Sequence, residues 1–342
     1  MMNDINKVLK STAKRLVADH KGLLAMDESV STCNKRFEKL GIPQTAEFRR
    51  LYRELIVTTP GLGDYLNGAI LFDETIYQST SDGIPFVKKL REAGVLPGIK
   101  VDEGTIDLIG SPGERITTGL KDLPERLKTY SEAGMRFAKW RAVFSISTGV
   151  PTKAAIEANT RELAIYAKYC QEAAIVPIVE PEVLITGMHS IERCHAVTGS
   201  VLAELFVQLR EHDVNYEHII LKPNMVTSGD SAEMQATPMS VAQHTIECLA
   251  NHVPAGVPGI AFLSGGQPPA TAIANLNAMN LKNGFATPWP VTFSFSRAIQ
   301  QPALEFWAGK ADKVIGAQNL LYTQLERCRQ ARKGVYRIDA DK

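Results

Sequence analysis

Eight short strand-like segments, alternating with stretches long enough for helices, restrict the fold of this chain more than any other feature. The segments lie at residues 23–28, 67–74, 96–102, 137–145, 175–182, 219–225, 259–265 and 290–297. Helical spacing of apolar residues is clearest in the stretches between them at 45–58, 124–138, 152–173, 191–210 and 240–249. Eightfold strand–helix alternation predicts an α/β protein, a single (β/α)8 TIM barrel domain over residues 1–342. An open doubly wound sheet is the alternative topology.

The two ends of the chain add helices to this pattern. Residues 1–19 carry Ile5, Val8, Leu9 and Leu16 at helical spacing, so we expect an extra N-terminal helix that caps or flanks the barrel. The segment after Gln301 is expected to supply the C-terminal helices. No Gly/Ser linker or charge block divides the chain.

The sixth segment contains the most informative residue, Lys222, which directly follows the apolar run Ile219-Ile220-Leu221. Pro223 cannot donate a hydrogen bond to a neighbouring strand and therefore marks the strand's end. Because side chains alternate along a strand, Ile220, Lys222 and Asn224 are expected to share one face. Apolar surroundings or a second cation favour a free amine, which attacks carbonyl carbons to form a Schiff base. The alternative is an ordinary lysine that extends from the strand end into water.

The other strand ends carry a matching set of polar groups. In barrel enzymes the active site lies at the C-terminal ends of the strands, and here seven of the eight ends carry ionisable or phosphate-binding groups. These groups are Asp27 and Glu28, Lys100 and Asp102, Lys139 and Arg141, Glu180 and Glu182, Lys222, Ser264-Gly265-Gly266, and Arg297. Each alone has an ordinary explanation, such as a carboxylate that opens the next helix. Together they predict an active site.

The mixture of groups indicates the chemistry. Repulsion from Lys139 would favour the uncharged amine of Lys222, and Glu180 and Asp27 could transfer protons. The backbone N–H groups of Ser264-Gly265-Gly266 can bind phosphate oxygens, because glycine allows close approach. Arg297 fits the same site, since barrels commonly bind phosphate after strands seven and eight.

Several classes of function are not supported. The formal net charge of +1 gives no global signal for nucleic acid or an anionic membrane, and no apolar run approaches the roughly 20 residues that span a bilayer. The five scattered cysteines form no CxxC, and the N-terminus lacks a secretory signal, so we expect a cytoplasmic protein with reduced thiols. The seven histidines form no HExxH, and neither GxGxxG after a strand nor GxxxxGK[ST] occurs, so no metal or nucleotide cofactor is expected.

The successive strand-end motifs resemble those of class I fructose-1,6-bisphosphate aldolases, in the family's order and from about residue 14 to 333. They are Leu24-Ala25-Met26-Asp27-Glu28-Ser29, Gly98-Ile99-Lys100-Val101-Asp102, Lys139-Trp140-Arg141, Val179-Glu180-Pro181-Glu182, Leu221-Lys222-Pro223-Asn224-Met225, Phe262-Leu263-Ser264-Gly265-Gly266-Gln267 and Ser296-Arg297-Ala298. The resemblance implies a barrel, usually a homotetramer. Such an enzyme would reversibly cleave fructose 1,6-bisphosphate into dihydroxyacetone phosphate and glyceraldehyde 3-phosphate, with no metal or cofactor.

The same resemblance implies a role for each catalytic residue. Lys222 would form the Schiff base and Glu180 would be the acid/base for carbinolamine dehydration. Asp27 would take the proton of the C4 hydroxyl during cleavage. Lys139 would assist electrostatically, and Glu182 would orient the lysines.

The resemblance also implies two phosphate sites. Ser264, Gly265 and Arg297 would bind the phosphate at the ketose end. The other phosphate would be bound by Lys100 and Arg141, with Ser29, Lys35 or Arg36 as further candidates.

Three points stay open from the sequence. Sedoheptulose 1,7-bisphosphate could be a second substrate, because the imine chemistry would be identical. A non-catalytic barrel that binds sugar phosphates or a protein partner is the alternative function. Many family members end in a flexible tail with a terminal tyrosine; the sequence ends Asp339-Ala340-Asp341-Lys342. That short ending is expected of a bacterial-type member and would leave Glu180 or water to exchange the enamine proton.

Overall fold

Eight parallel strands close into a barrel in the computed structural model, which describes residues 2–282 and 284–337. In chain order the strands of the molecule are β1 (Gly22–Met26), β2 (Leu66–Leu71), β3 (Leu96–Lys100), β4 (Thr105–Asp107), β5 (Arg115–Thr117), β6 (Phe137–Phe144), β7 (Val176–Val183), β8 (Ile220–Leu221), β9 (Ile260–Phe262) and β10 (Val291–Phe295). The order around the barrel is β1, β2, β3, β6, β7, β8, β9 and β10, and β10 pairs back to β1. The predicted TIM barrel is confirmed, and the doubly wound alternative is wrong.

Helices surround the barrel and follow most of its strands. They are α1 (Met2–Leu16), α2 (Val30–Glu38), α3 (Ala46–Val57), α4 (Leu62–Tyr65), α5 (Asp73–Ile76), α6 (Phe86–Glu92), α7 (Leu123–Glu132), α8 (Lys153–Glu172), α9 (Ile191–Glu211), α10 (Pro238–His252), α11 (Pro269–Met279), α12 (Arg297–Trp307) and α13 (Val314–Arg332). Short 3-10 helices lie at Tyr216–His218 and Ala311–Lys313. Within the described residues, no helix has both the length and the apolar character needed to cross a membrane.

Local sequence accounts for several helix boundaries. Thr45, Thr152 and Ser190 cap α3, α8 and α9, because each side chain accepts a hydrogen bond from the backbone N–H three residues later. The prediction of a helix to residue 138 is wrong at its end. The helix α7 stops at Glu132 because Gly134 turns the chain with φ +87°. Sequence analysis also missed the small antiparallel pair β4–β5.

The helix α1 closes the N-terminal end of the barrel. Its residues Leu9, Ala13 and Leu16 are buried in one cluster with Ile178 and Ile220, which point into the barrel. The expected N-terminal cap is therefore confirmed, and the barrel can open to solvent only at its C-terminal end.

The barrel interior is filled by side chains rather than left hollow. The ring of Phe137 occupies the space beside Gly98, where a Cβ would lie 2.2 Å from the ring. A larger residue at position 98 would therefore displace either this ring or the strand.

The strand β8 is shorter than predicted, and this changes where Asn224 points. The strand pairing ends at Leu221, one residue before Lys222. The Asn224 side chain accepts from the Val183 N–H at 3.0 Å and donates to Thr198 Oγ1 on α9 at 3.1 Å. The expectation that Asn224 shares the face of Lys222 is therefore wrong, because regular alternation stops where Pro223 ends the strand.

Candidate active site

A cavity of about 1080 Å³ opens at the C-terminal ends of the barrel strands. Nine Lys or Arg residues and seven Asp or Glu residues line it, so its walls are net positive although the whole chain carries only +1. Such a lining favours an anionic ligand. The cavity is lined by all eleven residues predicted for the site, Asp27, Ser29, Lys100, Lys139, Arg141, Glu180, Glu182, Lys222, Ser264, Gly265 and Arg297.

Glu180 joins the two lysines at the floor of this cavity. Its Oε1 lies 3.2 Å from Lys222 Nζ, and its Oε2 lies 3.2 Å from Lys139 Nζ. All three side chains are almost completely buried. Lys139 is predicted to act on Lys222 by direct repulsion, whereas in the structure one carboxylate contacts both. This carboxylate can accept a proton from Lys222 and return it to a ligand bound there.

Lys139 also reaches Asp27, although their strands β6 and β1 are three positions apart around the barrel. The Nζ of Lys139 lies 2.9 Å from Asp27 Oδ2. Burial opposes the charge of Asp27, but Lys139 and Lys222 outweigh burial and lower the pKa of Asp27 to about 2. Burial likewise opposes the charge of Lys139, but Asp27 and Glu180 outweigh it and raise the pKa of Lys139. At neutral pH this pair is therefore a carboxylate and an ammonium.

The turn after β9 forms one candidate anion site. Gly265 and Gly266 adopt φ angles of +58° and +91°, which residues other than glycine rarely adopt. Their backbone N–H groups donate to no acceptor within residues 2–282 and 284–337. Arg297 begins α12 beside them, since a Cβ at Gly266 would lie 3.5 Å from Arg297 Nη2. Two unused N–H groups and an adjacent guanidinium suit a phosphate group.

A second basic group lies on the opposite side of the barrel. Lys100 and Arg141 belong to β3 and β6, which are four positions around the barrel from β9 and β10 respectively. Lys100 Nζ contacts Asp102 Oδ1 at 2.6 Å, and Arg141 pairs with Glu182. Burial opposes the charge of Arg141, but Glu182 outweighs it and raises the pKa of Arg141. The cavity therefore presents cations on two facing sides.

The remaining phosphate-binding candidates, Ser29, Lys35 and Arg36, lie in or next to the helix α2, which follows β1. Ser29 caps this helix, because its Oγ accepts from the Thr32 N–H at 3.3 Å. Arg36 pairs with Glu28, a carboxylate that it shares with Arg53, and donates to Gln301 Oε1 at 3.0 Å, so its guanidinium is already held within the protein. Lys35 forms no ion pair within the described part of the chain. Of these two basic candidates, Lys35 is the one available to a ligand.

Two features of the site differ from what the sequence suggested. Glu182 contacts Arg141, and among the described residues it makes no ion pair with Lys139 or Lys222. Asp102 was seen at a strand end but received no role, although it contacts both Lys100 and Lys139. The sequence signal that could have assigned Asp102 to the site is its spacing of two residues from Lys100, since residues i and i+2 on a strand point the same way.

No cluster suited to a metal ion occurs in the described ranges, where no three His, Cys, Asp or Glu side chains come together as ligands. This holds for residues 2–282 and 284–337.

Comparison with known families and proteins gives a consistent result. The family model described as "Fructose-bisphosphate aldolase class-I" matches residues 8–342. A Xanthomonas campestris protein named "Probable fructose-bisphosphate aldolase class 1" is 50% identical over 315 residues, which are 92% of this chain and 94% of that protein. The Arabidopsis thaliana "Fructose-bisphosphate aldolase 4, cytosolic" is 48% identical over 320 residues, 94% of this chain and 81% of the relative.

A solved structure resembles the whole fold. It is the fructose-bisphosphate aldolase of Plasmodium falciparum, crystallised with TRAP and a small-molecule inhibitor. The two chains are 43% identical and superpose with a TM-score of 0.96, covering 98% of this chain and 96% of the other.

Proposed function

The chain belongs to the class-I fructose-bisphosphate aldolase family. We propose which of its residues perform each step of the family's reaction. Members of this family are aldehyde-lyases that cleave fructose 1,6-bisphosphate through a lysine Schiff base without a metal. The observation that carries the residue assignment is the position of Glu180, whose two carboxylate oxygens contact Lys222 and Lys139.

Lys222 and Glu180 form the Schiff base. Lys222 gives a proton to Glu180, and its free amine attacks the C2 carbonyl carbon of the open-chain sugar. Glu180 then returns a proton to the carbinolamine oxygen, which leaves as water. The resulting protonated imine can accept the electron pair released when a carbon–carbon bond breaks.

Asp27 and Lys139 serve the cleavage step. Asp27 is ionised at neutral pH and takes the proton of the C4 hydroxyl. The C3–C4 bond breaks, its electron pair moves into the imine, and glyceraldehyde 3-phosphate leaves. The ammonium of Lys139, 2.9 Å from Asp27, stabilises negative charge that develops at the C4 oxygen.

The two phosphate groups orient the sugar between the facing cations. Ser264, Gly265 and Arg297 bind the phosphate on C1. Lys100 and Arg141 bind the phosphate on C6, with Ser29 and Lys35 as further contacts from α2. Anchoring both ends converts binding energy into orientation at the reacting bond.

For Glu182 we propose a role that differs from the predicted one. Glu182 is a positioning residue for Arg141, the cation it contacts, rather than for the lysines. The expectation about the chain ending concerns residues 338–342, which lie outside the described residues.

Borohydride trapping tests this assignment directly. Protein in EDTA is incubated with dihydroxyacetone phosphate and sodium borohydride, and tryptic peptides are mapped by mass spectrometry. Reduction converts a protonated imine into a stable secondary amine, so we expect the adduct on Lys222. An adduct on another lysine would contradict the site assignment, and folded protein without any adduct would favour the non-catalytic barrel.

Truncated substrates test the two phosphate sites. Arg297→Met is expected to raise KM roughly 10- to 100-fold for both fructose 1,6-bisphosphate and fructose 1-phosphate, because charge-assisted hydrogen bonds to the C1 phosphate are lost. Lys100→Met is expected to raise KM similarly for the bisphosphate but to change it little for fructose 1-phosphate, which lacks the C6 phosphate. Steady-state kinetics measures both.

The control for these variants is Lys153→Met, whose side chain is 87% exposed outside the cavity. It should leave both KM values unchanged. If Arg297→Met affected only the bisphosphate, the proposed orientation of the substrate would be reversed.

We further propose that residues 1–342 form one domain that assembles as a cytoplasmic homotetramer. The single closed barrel supports the first point, and cytosolic plant relatives support the location.

Sedoheptulose 1,7-bisphosphate remains a candidate second substrate, because its imine chemistry is the same and only chain length differs.

A further inference from the structure

Three carboxylates surround the ammonium of Lys139. Asp27 Oδ2 lies 2.9 Å from Lys139 Nζ, Glu180 Oε2 lies 3.2 Å away, and Asp102 Oδ2 lies 3.7 Å away. In the reaction proposed above, Glu180 accepts a proton from Lys222 and Asp27 accepts one from the C4 hydroxyl. Both carboxylates therefore lose their negative charge at some stage of turnover, and only Asp102 has no proton to carry.

We propose that Asp102 is the permanent counter-ion of Lys139, a positioning residue that keeps this ammonium charged and in place throughout turnover. The proposal rests on the residue roles given under the proposed function. Asp102 does not react with substrate; it acts through Lys139.

The surroundings of Asp102 hold its carboxylate in a fixed orientation. The side chain is buried, and its Oδ1 accepts from Lys100 Nζ at 2.6 Å and from the Gly104 N–H at 3.3 Å. The other oxygen, Oδ2, accepts from the Arg141 N–H at 3.4 Å and faces Lys139. Two backbone donors, one in the segment after β3 and one within β6, therefore fix the orientation of the Asp102 carboxylate.

Charge balance shows why such a residue is needed. Three carboxylates (Asp27, Asp102, Glu180) face three lysines (Lys100, Lys139, Lys222), so the buried cluster is neutral when all are ionised. Glu180 is neutral before the imine forms, and Asp27 is neutral at cleavage, when Glu180 is shared between Lys139 and the cationic imine on Lys222. Asp102 is the one carboxylate beside Lys139 that stays charged at both stages. Each loss of negative charge around a buried ammonium favours release of its proton, and Asp102 opposes that release.

The experiment compares Asp102→Asn with Asp107→Asn, using fructose 1-phosphate as substrate. Asp107 lies outside the cavity on β4, is largely exposed and pairs with Arg115, so it is a matched Asp-to-Asn control. Fructose 1-phosphate does not use the Lys100 phosphate site, so effects on kcat report on Lys139 rather than on Lys100. The readouts are kcat and KM as functions of pH.

For Asp102→Asn we expect kcat to fall by about tenfold or more. We also expect the decrease of kcat at high pH, the alkaline limb of its pH profile, to occur about one pH unit lower. The direction follows from charge. Loss of an anion lowers the pKa of Lys139, so the ammonium is lost at lower pH. KM for fructose 1-phosphate should change less than about threefold, since C1 phosphate contacts are intact. Other ionisable groups also contribute to the pH profile of kcat, because they face Asp102 or contact the same lysines. They are Asp27, Lys100, Lys139, Arg141, Tyr166, Glu180 and Lys222.

Unchanged kcat and an unchanged alkaline limb would overturn the proposal. So would a fall in kcat with the limb at its wild-type pH, because a purely structural role predicts that pattern. Asp102→Glu restores the charge and should return the limb to the wild-type position. If Asp102→Asn does not fold, Asp102→Ser, which also lacks charge but is smaller, takes its place with the same expected shift.

Borohydride trapping separates failure of this proposal from failure of the proposed function. Asp102→Asn should still give the dihydroxyacetone phosphate adduct on Lys222, because imine formation there does not use Asp102. An adduct together with unchanged kinetics would exclude the counter-ion role alone. If the wild-type protein gave no adduct, the assignment of Lys222 itself would be wrong.

Discussion

Replacing Lys222 with methionine is expected to lower turnover of fructose 1,6-bisphosphate by at least about 10⁴-fold while the fold is retained. Lys139, which shares Glu180 with Lys222, cannot substitute, because Asp27 and Glu180 hold it as an ammonium. Methionine is a similar unbranched side chain and suits the buried position. Glu180 keeps Lys139 as a partner, so no unpaired charge is left behind.

Cleavage is measured by a coupled assay, and the fold by circular dichroism and thermal unfolding. Lys153→Met is again the control, since it removes an exposed lysine outside the cavity. Turnover by folded Lys222→Met within about tenfold of the wild type would exclude a Schiff base at this position as the main route.

Replacing Asp27 with asparagine is expected to lower kcat for cleavage by about 10³-fold without preventing imine formation. The amide cannot take the C4 hydroxyl proton, whereas attack by Lys222 on a carbonyl uses Glu180. Dihydroxyacetone phosphate and borohydride should therefore still label Lys222 in this variant. Asp107→Asn serves as the control, and cleavage by Asp27→Asn within a few-fold of the wild type would show that another base removes the proton.

Asp27 also makes stability depend on pH in the acid range. Its pKa in the folded protein is about 2, against an ordinary value of 3.8. A carboxylate with a lowered folded pKa stabilises the fold fully above its unfolded pKa, and this contribution disappears as the pH falls through the folded value. Between about pH 4 and pH 2 the wild type should therefore lose about 2 kcal/mol of unfolding free energy that Asp27→Asn does not lose. Urea unfolding at a series of pH values in this range measures the difference. Equal losses for the two proteins would contradict it.

Much of the fold could be read from the chain because it depends on local physics. Continuous apolar runs mark buried strands, and a capping residue such as Thr152 marks a helix start. The exceptions were local as well. Gly134 stops α7 early and Pro223 ends β8 early, and in both places a single residue overrides the pattern on which the prediction rested.

The positions of the strand ends were enough to predict which residues lie at the mouth of the barrel, and all eleven predicted site residues line one cavity. This succeeds because strand ends in a parallel barrel must meet at one edge. The sequence did not predict which of these eleven residues contact one another. Position on a strand says which way a side chain points, but several other strand ends lie within reach of a long lysine or arginine.

Those contacts depend on how the strands are arranged around the closed barrel. Lys139 reaches Asp27 from a strand three positions away, Glu180 lies between two lysines, and Glu182 pairs with Arg141. The role inferred for Asp102 depends on the same long-range geometry, since its partner Lys139 is 37 residues distant along the chain. The physical reason is that strand periodicity is a local property of the backbone. The pairing of charges across the barrel is set by closure of the sheet and by the packing that fixes each strand's neighbours.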